Sequence, residues 1–309
     1  MSRAVVYERF GGPEVLDVRE VPEPHAGSGE VRVRVTVMGL NPMDWLISST
    51  PSIAAAFGIS LPAGFGCDLA GVVDEVGEGV DRFAVGDRVY GGAMARAAAD
   101  FAVVDTGPSA LFRLVRTPDG LRDEVAAALP TPGLTAAAAL AAIDIRSSDT
   151  VLVGGAAGGV GVLVVQLAKR AGARVIGTAS PGTFDFLRQW DVEPVAHGPG
   201  LVERVRDVAP GGITAATDLF GTETAEAALA LGVPADRIST IAAGPMPPGG
   251  VRATGGASAV SADLDAIADA VAAGAITVPV AATFPIEKIR DAVALQADRH
   301  VHGKIVVTL

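Results

Sequence analysis

The stretch 150-TVLVGGAAGGVGVLVVQLAKRAGARVIGTAS-180 joins an apolar run, a glycine-rich turn, a segment of helical spacing and a second apolar run. Thr150–Val153 is β-branched or apolar, as in a buried parallel strand. Val162–Ala171 has apolar residues at helical intervals, and Arg174–Thr178 again suits a buried strand. The order strand, turn, helix, strand predicts a βαβ unit within a doubly wound parallel sheet of the α/β class.

The turn in this unit has few side chains, because five of the eight residues from Gly154 to Gly161 are glycine. Backbone without side chains can approach a pyrophosphate closely, and unpaired N–H groups at the start of the helix offer it partial positive charge. The usual fingerprint is G-x-G-x-x-G, whereas here Ala156 replaces the first glycine. The flanking strand and helix still favour a dinucleotide-binding turn over an ordinary βα turn that binds nothing. The expected contacts are Ala157, Gly158, Gly159 and Val160.

The second strand ends in Thr178, Ala179 and Ser180. A site that prefers NAD normally presents Asp or Glu at this point to the ribose hydroxyls. The absence of a carboxylate favours NADP, with Thr178 and Ser180 among the contacts to the cofactor.

Length and charge exclude several classes of protein. With 309 residues the chain is longer than one hydrophobic core normally supports, so two domains are expected. A net charge of −11, with only three lysines, argues against nucleic acid or an anionic membrane as a partner. No apolar run approaches the length of a membrane span, and the first ten residues resemble a charged strand rather than a signal peptide. The single cysteine, Cys67, excludes an internal disulfide, and a cytoplasmic location is expected.

The pattern of apolar residues divides the chain into a strand-rich part with little helix and a part of alternating strands and helices. Strands are predicted at Ala4–Tyr7, Leu16–Glu20, Glu30–Leu40, Leu69–Val76, Arg88–Tyr90, Pro194–His197, Ala215–Phe220, Arg237–Ala243 and Val251–Gly255. Helices are predicted at Asp123–Leu129, Leu134–Ala142, Leu201–Val208, Glu223–Leu231 and Ala262–Ala273. The tail is predicted to return to strands, ending in Lys304–Thr308. The domains are therefore expected at 1–120, completed by 277–309, and at 121–276, with a cleft at their junction for the substrate.

Several separated segments together resemble the medium-chain dehydrogenase/reductase superfamily, in its zinc-free quinone oxidoreductase branch, the zeta-crystallin-like proteins. The segments, besides the glycine turn, are 7-YERFGGPEVLDVREVPEP-24, 39-GLNPMDW-45, 66-GCDLAGVVDEVGEGVDRFAVGDRVYG-91, 129-LPTPGLTAAAAL-140 and 300-HVHGKIVVTL-309. The resemblance covers essentially the whole chain. It implies a GroES-like N-terminal domain, a Rossmann domain and a homodimer.

The resemblance also bears on metal binding. Zinc alcohol dehydrogenases of this superfamily have a cysteine and a Gly-His-Glu motif where this chain has Asn41 and 66-GCD-68. Cys67 and Asp68 are both of a type that binds zinc, but a catalytic zinc needs three protein ligands and no histidine lies nearby in the sequence. The prediction is therefore that the protein holds no metal, with Cys67 a buried thiol. Asp44 and Asp68 are expected to make structural hydrogen bonds to the backbone.

Two residues are expected from the resemblance to act at the nicotinamide. Asn41, in the Asn-Pro motif, is matched to a residue at the nicotinamide and in the cleft, and the alternative is a turn residue ahead of Pro42. Thr135 is matched to a nicotinamide contact, and the alternative is a plain N-cap at a helix start. Trp45 is interpreted as an apolar wall for a flat substrate or as a core tryptophan. Lys304 is expected near the cleft, among the cofactor contacts, or as a surface cation.

The 2′-phosphate site departs from the pattern of similar NADP enzymes. These often have a basic residue after the position of Ser180 and a tyrosine at the end of the next strand, where this chain has Pro181 and His197. Ser180 and His197 can still donate hydrogen bonds to a phosphate, and the alternative for His197 is an exposed loop residue. Further cofactor contacts are expected at the carboxyl ends of later strands, at Phe220, Gly221, Ile241 and Ala242.

Three functions are compatible with these features. The first is an NADPH-dependent reductase that transfers hydride to a quinone or an α,β-unsaturated carbonyl compound, acceptors that are reactive without zinc. The second is an enoyl reductase or other tailoring enzyme dedicated to one metabolite. The third is an NADPH-binding sensor or scaffold with little turnover.

Overall fold

The structure is a computed structural model, and it describes residues 1–107, 113–244, 246–299 and 301–309. The chain divides into two compact units. Unit 1 comprises Met1–Thr131 and Leu264–Leu309, and unit 2 comprises Pro132–Asp263. In the described part of the chain, no helix is both long and apolar enough to cross a membrane.

Unit 1 is built on strands that pair antiparallel, except for one parallel pair in the C-terminal tail. Its strands are β1 (Ser2–Tyr7), β2 (Asp17–Val21), β3 (Glu30–Leu40), β4 (Ala63–Gly64), β5 (Asp68–Val76), β6 (Arg88–Gly92), β7 (Phe101–Asp105), β8 (Val115–Arg116), β15 (Val280–Pro285) and β16 (Lys304–Thr308). Its helices are α1 (Pro42–Ser49), α2 (Pro51–Ala56), α3 (Asp123–Ala126) and α10 (Ile289–Ala297).

The strands of unit 1 form two sheets. One has the order β2-β1-β4, and the larger has the order β15-β16-β3-β5-β6-β8, with β7 also paired to β3. Strand β16 pairs antiparallel to β3, with Ile305 opposite Leu40, so the tail of the chain is incorporated into the N-terminal sheet. Buried Val, Leu and Phe side chains of both sheets form one core, to which α10 contributes Ile289 and Val293.

Unit 2 contains a parallel sheet with helices. Its strands are β9 (Thr150–Gly154), β10 (Arg174–Ala179), β11 (Glu193–Ala196), β12 (Ala215–Asp218), β13 (Ile238–Thr240) and β14 (Arg252–Ala253). Its helices are α4 (Pro130–Ala142), α5 (Gly161–Arg170), α6 (Phe184–Arg188), α7 (Leu201–Val208), α8 (Glu223–Ala230) and α9 (Ser261–Ala272). The first residues of α4 and the last residues of α9 belong to unit 1. The strand order is β11-β10-β9-β12-β13-β14, and every pairing is parallel. This is the Rossmann-type sheet predicted from the glycine turn, and unit 1 has the predicted GroES-like architecture.

Several details differ from the predicted elements. The tail contains helix α10, because its apolar residues Ile289, Ala292 and Val293 recur at helical rather than alternating spacing and are buried in the core of unit 1. The first hundred residues contain helices α1 and α2, neither of which is among the predicted helices. The unit limits lie at 131/132 and 263/264, whereas the domain limits were expected at 120/121 and 276/277.

Candidate functional site

The glycine turn of unit 2 connects β9 to α5. Gly155 has a φ of +66°, in the left-handed region that side chains disfavour. A Cβ atom on Gly161 would lie 2.2 Å from the carbonyl oxygen of Gly155 and 2.6 Å from that of Ala156. The turn can therefore fold this tightly over the start of α5 only because residue 161 has no side chain.

The turn leaves several main-chain donors available. The N–H of Ala156 donates to the carbonyl of Thr178 at 3.2 Å, and the N–H of Gly158 donates to the carbonyl of Gly155 at 3.0 Å. Within the described residues, no hydrogen bond occupies the N–H groups of Ala157, Gly159 and Val160. These unpaired donors at the start of a ten-residue helix suit a pyrophosphate, as the sequence predicts.

The end of β10 carries two predicted residues, of which Thr178 is buried and Ser180 is exposed. The Thr178 hydroxyl accepts a hydrogen bond from the N–H of Gly155 at 3.2 Å and so connects this strand to the glycine turn. Exposed Ser180 lies beside exposed His197, with 3.2 Å between Oγ and Nε2. Because β10 and β11 are adjacent parallel strands, their carboxyl ends bring these two polar side chains together.

Arg204 orders the loop that carries His197. From α7 its guanidinium donates to the carbonyls of Ala196 at 2.9 Å, Pro199 at 2.8 Å and Gly198 at 2.8 Å. A further, longer bond of 3.2 Å reaches the carbonyl of His197 itself. The main chain of the histidine is therefore fixed while its ring stays accessible.

Four further predicted cofactor contacts, Phe220, Gly221, Ile241 and Ala242, follow strands β12 and β13 at the same edge of the parallel sheet. Buried Asp218 accepts hydrogen bonds from the N–H groups of Phe220 at 3.1 Å and Gly221 at 3.0 Å, and thereby shapes the turn after β12. The N–H of Ile241 donates to the main-chain oxygen of Asp218 at 3.1 Å, and that of Ala242 donates to a threonine hydroxyl at 3.3 Å. Asp218 had not been predicted, although an Asp that ends a strand just before a helix is a recognisable capping signal.

A second polar cluster lies in unit 1 around Asn41, which is 3% exposed. The Asn41 amide donates from Nδ2 to Asp68 Oδ2 at 2.8 Å, and its Oδ1 accepts from Lys304 Nζ at 2.7 Å. Lys304 donates again to the carbonyl of Leu40 at 2.7 Å. Thr131 completes the set, since its hydroxyl and its N–H donate to Asp68 at 2.7 and 3.0 Å.

Asp44 and Cys67 extend this buried cluster. Asp44 Oδ2 accepts from the N–H of Asn41 at 2.7 Å, whereas Oδ1 has no well-formed hydrogen bond among the described residues. Burial raises the pKa of Asp44 to about 7, and the negative charge of Asp68 adds to this shift. Burial also raises the pKa of the Cys67 thiol, as does neighbouring Asp44. The cluster therefore retains a proton near neutral pH.

Burial shifts the pKa values of Lys304 and Asp68 in opposite directions. Desolvation lowers the pKa of Lys304, while Asp68 and Asp44 act in the opposite direction. Desolvation raises the pKa of Asp68, while Lys304, Thr131 and Asn41 oppose the rise. The ammonium and the carboxylate thus partly compensate each other through the Asn41 amide that lies between them.

Comparisons with known proteins assign the family. Residues 27–118 match the family model described as "Alcohol dehydrogenase GroES-like domain", and residues 192–307 match "Zinc-binding dehydrogenase". A quinone oxidoreductase of Salmonella typhimurium is 32% identical over 238 residues, which are 74% of this chain and 69% of that protein. The chain belongs to the medium-chain dehydrogenase/reductase superfamily.

Two further members of this superfamily illustrate the similarity. A quinone oxidoreductase of Pseudomonas aeruginosa is 35% identical over 225 residues, and the alignment spans 68% of this chain and 64% of that protein. The solved structure of a mycobacterial protein complexed with NADPH matches with a TM-score of 0.84 and 27% identity, covering 100% of both chains. The two units of this chain thus have the fold of the superfamily.

The zinc that one matched family model implies does not fit the described residues around Asn41 in unit 1. Both carboxylate oxygens of Asp68 already accept hydrogen bonds, and Asn41 stands where a thiolate would be needed. The Cys67 thiol is held protonated by burial and has its sulfur 3.6 Å from that of Met94. The Lys304 ammonium, moreover, already supplies a cation to the cluster. A Zn²⁺ ion requires deprotonated ligands, and this set does not offer three of them.

The sequence left two interpretations open for each of three residues, and the burial of these residues bears on the choice. Thr135 is buried as the sixth residue of α4, which begins at Pro130, so the N-cap interpretation is wrong. Lys304 is 3% exposed, so the surface-cation interpretation is wrong as well. Trp45 packs against the core of unit 1, and its indole Nε1 is buried with no hydrogen bond among the described residues.

Proposed function

We propose that this protein is an NADPH-dependent oxidoreductase that transfers hydride to a quinone or an α,β-unsaturated carbonyl compound without zinc. The observation that carries the proposal is the edge of the parallel sheet in unit 2. There the glycine turn offers unpaired N–H groups, and the end of β10 carries Ser180 rather than an acidic residue. The named quinone oxidoreductases and the NADPH complex of a similar protein support it.

The chain's own residues would divide the work of holding the cofactor. The N–H groups of Ala157, Gly159 and Val160 bind the pyrophosphate, and Gly161 keeps the turn close enough for that contact. Ser180 and His197 donate hydrogen bonds to the 2′-phosphate. Asn41 and Thr135 orient the nicotinamide end, as the resemblance implies.

NADPH, when bound, would supply a hydride, which is one proton with two electrons, to the acceptor. Because the donors around Asn41 do not suit zinc, the acceptor must already be electron-poor, as quinones and enones are. The protein's contribution is then orientation and exclusion of water, for which a buried, fully paired amide such as Asn41 is suited. The expected homodimer and cytoplasmic location stay predictions.

The proposal is tested by following NADPH oxidation by absorbance against ortho-quinones, para-quinones and linear enones, with NADH in parallel. We expect turnover of at least one acceptor class and a preference for NADPH. Turnover confined to one bulky enone would point to a dedicated enoyl reductase. Tight NADPH binding with no oxidation of any acceptor would contradict the reductase and favour a sensor.

A further inference from the structure

Unit 1 contains a cavity of about 500 Å³ that the proposed function does not use. All of its lining residues belong to unit 1, and none of them is Asn41, Asp44, Asp68 or Lys304. The volume lies within the range of pockets that hold small organic molecules, which is roughly 300–1,000 Å³. The cavity is therefore a candidate for a ligand site separate from the polar cluster around Asn41.

Main-chain hydrogen bonds fix the walls of this cavity. The N–H of Val5 in β1 donates to the carbonyl of Ala98 at 2.8 Å, and the N–H of Ala98 donates to the carbonyl of Phe65 at 2.9 Å. These three residues come from separate segments, and all of them line the cavity. Because its walls are joined in this way, the cavity exists without a ligand, and binding requires little ordering of the chain.

Apolar side chains on the walls remain in contact with water. Val6, Val21, Ile59 and Phe101 line the cavity and are only partly buried. Within the described residues, Val6 takes no part in the hydrophobic core of unit 1. A ligand with an apolar body would remove this surface from water, which is favourable in proportion to the area covered.

Arg96 is the one charged residue among the described residues that line the cavity. Its exposed side chain donates from Nη1 to the carbonyl of Val103, another lining residue, at 3.4 Å. The Arg96 side chain makes no other hydrogen bond or ion pair in the described part of the chain, so most of its N–H groups are available. Its neighbour Ala95 has a φ of +54°, a conformation that is uncommon for residues other than glycine and concentrated at functional sites.

Acidic residues are absent from the described lining of the cavity, although the chain has 35 of them. Two acids adjoin lining residues in the sequence, and each is paired elsewhere. The Asp100 carboxylate lies 2.8 Å from the Arg3 guanidinium, and the Glu23 carboxylate lies 3.3 Å from the amino group of Met1. The cavity of this acidic protein thus has a local positive charge, which favours an anion.

We infer that this cavity binds a small monocarboxylate with an apolar body, its carboxylate at Arg96 and its body against Val6 and Phe101. A guanidinium binds a carboxylate through two parallel N–H groups, and the apolar walls match the rest of such a ligand. Short fatty acids and aromatic acids share this chemistry. The inference is independent of the proposed function, because it requires neither NADPH nor an acceptor of hydride.

The test is titration calorimetry of the whole chain with octanoate, decanoate and 2-naphthoate near neutral pH, below the concentrations at which the fatty acids form micelles. Octanol supplies a linear apolar body without the charge. Arg96→Met removes the guanidinium, Arg96→Lys keeps its charge, and Val6→Phe fills part of the cavity. The matched controls are Arg9→Met and Val85→Phe, which make the same changes at exposed positions of unit 1 that do not line the cavity.

We expect decanoate to bind more tightly than octanoate, by up to about fourfold for each added CH₂ group that the cavity covers. Arg96→Met should weaken the binding of the carboxylates about tenfold and change the affinity for octanol less than about twofold. Arg96→Lys should lose less affinity, because it keeps the charge but not the paired N–H groups. Val6→Phe should weaken the binding of octanol and of the carboxylates alike, and both controls should bind as the unaltered protein does.

Tighter binding of decanoate than of 2-naphthoate would support the inference with a linear ligand, and the reverse order would support it with a flat one. No binding of any carboxylate, or equal carboxylate affinity in Arg96→Met and the unaltered protein, would overturn it. Unchanged affinities in Val6→Phe would also overturn it, because the ligand would then lie elsewhere. Arg96→Met alters only an exposed side chain, so the test stays decisive even if Val6→Phe does not fold. None of these outcomes bears on the oxidation of NADPH, which tests the proposed function separately.

Discussion

Gly161 shows how much of the cofactor site depends on a missing side chain. A Cβ atom there would lie 2.2 Å from the carbonyl oxygen of Gly155, far inside van der Waals contact. We expect Gly161→Ala to push the turn away from α5, to cost about 1–3 kcal/mol of folding free energy and to weaken NADPH binding more than about tenfold. Chemical denaturation and calorimetric titration measure the two effects. Gly211→Ala is the control, since nothing lies within 4 Å of a Cβ atom there. Normal NADPH affinity in Gly161→Ala would contradict this role for the turn.

The imidazole ring of His197 is proposed to donate a hydrogen bond to the 2′-phosphate of NADPH. Its ring is accessible and lies 3.2 Å from Ser180, on a loop held by Arg204. If the ring donates to the 2′-phosphate, His197→Ala should lower the ratio of kcat/KM for NADPH to that for NADH by about tenfold, the effect of one charge-assisted hydrogen bond. His197→Arg should raise the ratio, because arginine is always charged. The exposed His25 of unit 1 provides the control variant His25→Ala. An unchanged ratio in His197→Ala would assign phosphate recognition elsewhere.

Helix α1 carries a buried acid, Asp44, in its first turn. Asp44 caps the N–H of Asn41, and burial raises its pKa from an ordinary value of 3.8 to about 7. Between those pH values the folded protein holds a proton that the unfolded chain has released. The free energy of unfolding therefore falls as pH rises from about 4 to about 7, and Asp44 contributes no further dependence above that range.

Asp44→Asn should remove this part of the pH dependence. An asparagine oxygen can still accept the N–H of Asn41, so the helix cap is kept while the titrating group is lost. We expect the variant to gain stability relative to the unaltered protein as pH rises from about 5 to about 8, measured by urea denaturation. Asp291→Asn, an exposed acid in the first turn of α10, serves as the control. A constant stability difference across this pH range would show that Asp44 does not hold the proton.

The elements that follow simple periodicity could be predicted from the sequence. Helix α7 and strand β3 have their predicted bounds, because one has a clear amphipathic pattern and the other a long β-branched run. Helix α1 was missed although Asn41, Pro42 and Asp44 form an N-cap signal. The helix is only eight residues long and directly follows β3, so its apolar periodicity is too short to indicate a helix.

The polar cluster of unit 1 could be predicted only in part. Asn41 and Lys304 were both expected at the site, but their contact with each other and with Asp68 and Thr131 joins separate segments that meet only in the folded unit. The pairing of β16 with β3 brings Lys304 to the end of β3, just before Asn41, and no local pattern encodes that register. Burial, which decides the charge state of each group, is likewise a property of the packed core rather than of the spacing along the chain.

Each of the two units contains one tryptophan, so the fluorescence of each tryptophan reports on the unfolding of its own unit. Trp45 packs on the core of unit 1, and Trp190 packs edge-to-face on Phe186 in unit 2, with ring centroids 4.9 Å apart. The variants Trp45→Phe and Trp190→Phe therefore each leave one fluorescent probe, located in a known unit. Adenosine 2′,5′-bisphosphate at about 100 times its dissociation constant should stabilise the unit that binds it by about 2.7 kcal/mol.

We expect this ligand to shift the urea transition reported by Trp190 and to leave the one reported by Trp45 in place, because the predicted phosphate contacts all lie in unit 2. NADPH should shift the Trp190 transition in the same way, because its pyrophosphate and 2′-phosphate contacts are also predicted in unit 2. Each single-tryptophan variant is first compared with the unaltered protein without ligand, so that a change caused by the substitution itself is subtracted. A bisphosphate shift seen at Trp45 but not at Trp190 would place the phosphate site in the wrong unit and contradict the assignment. Identical transitions at both probes, with and without ligand, would instead show that the two units unfold as one cooperative structure.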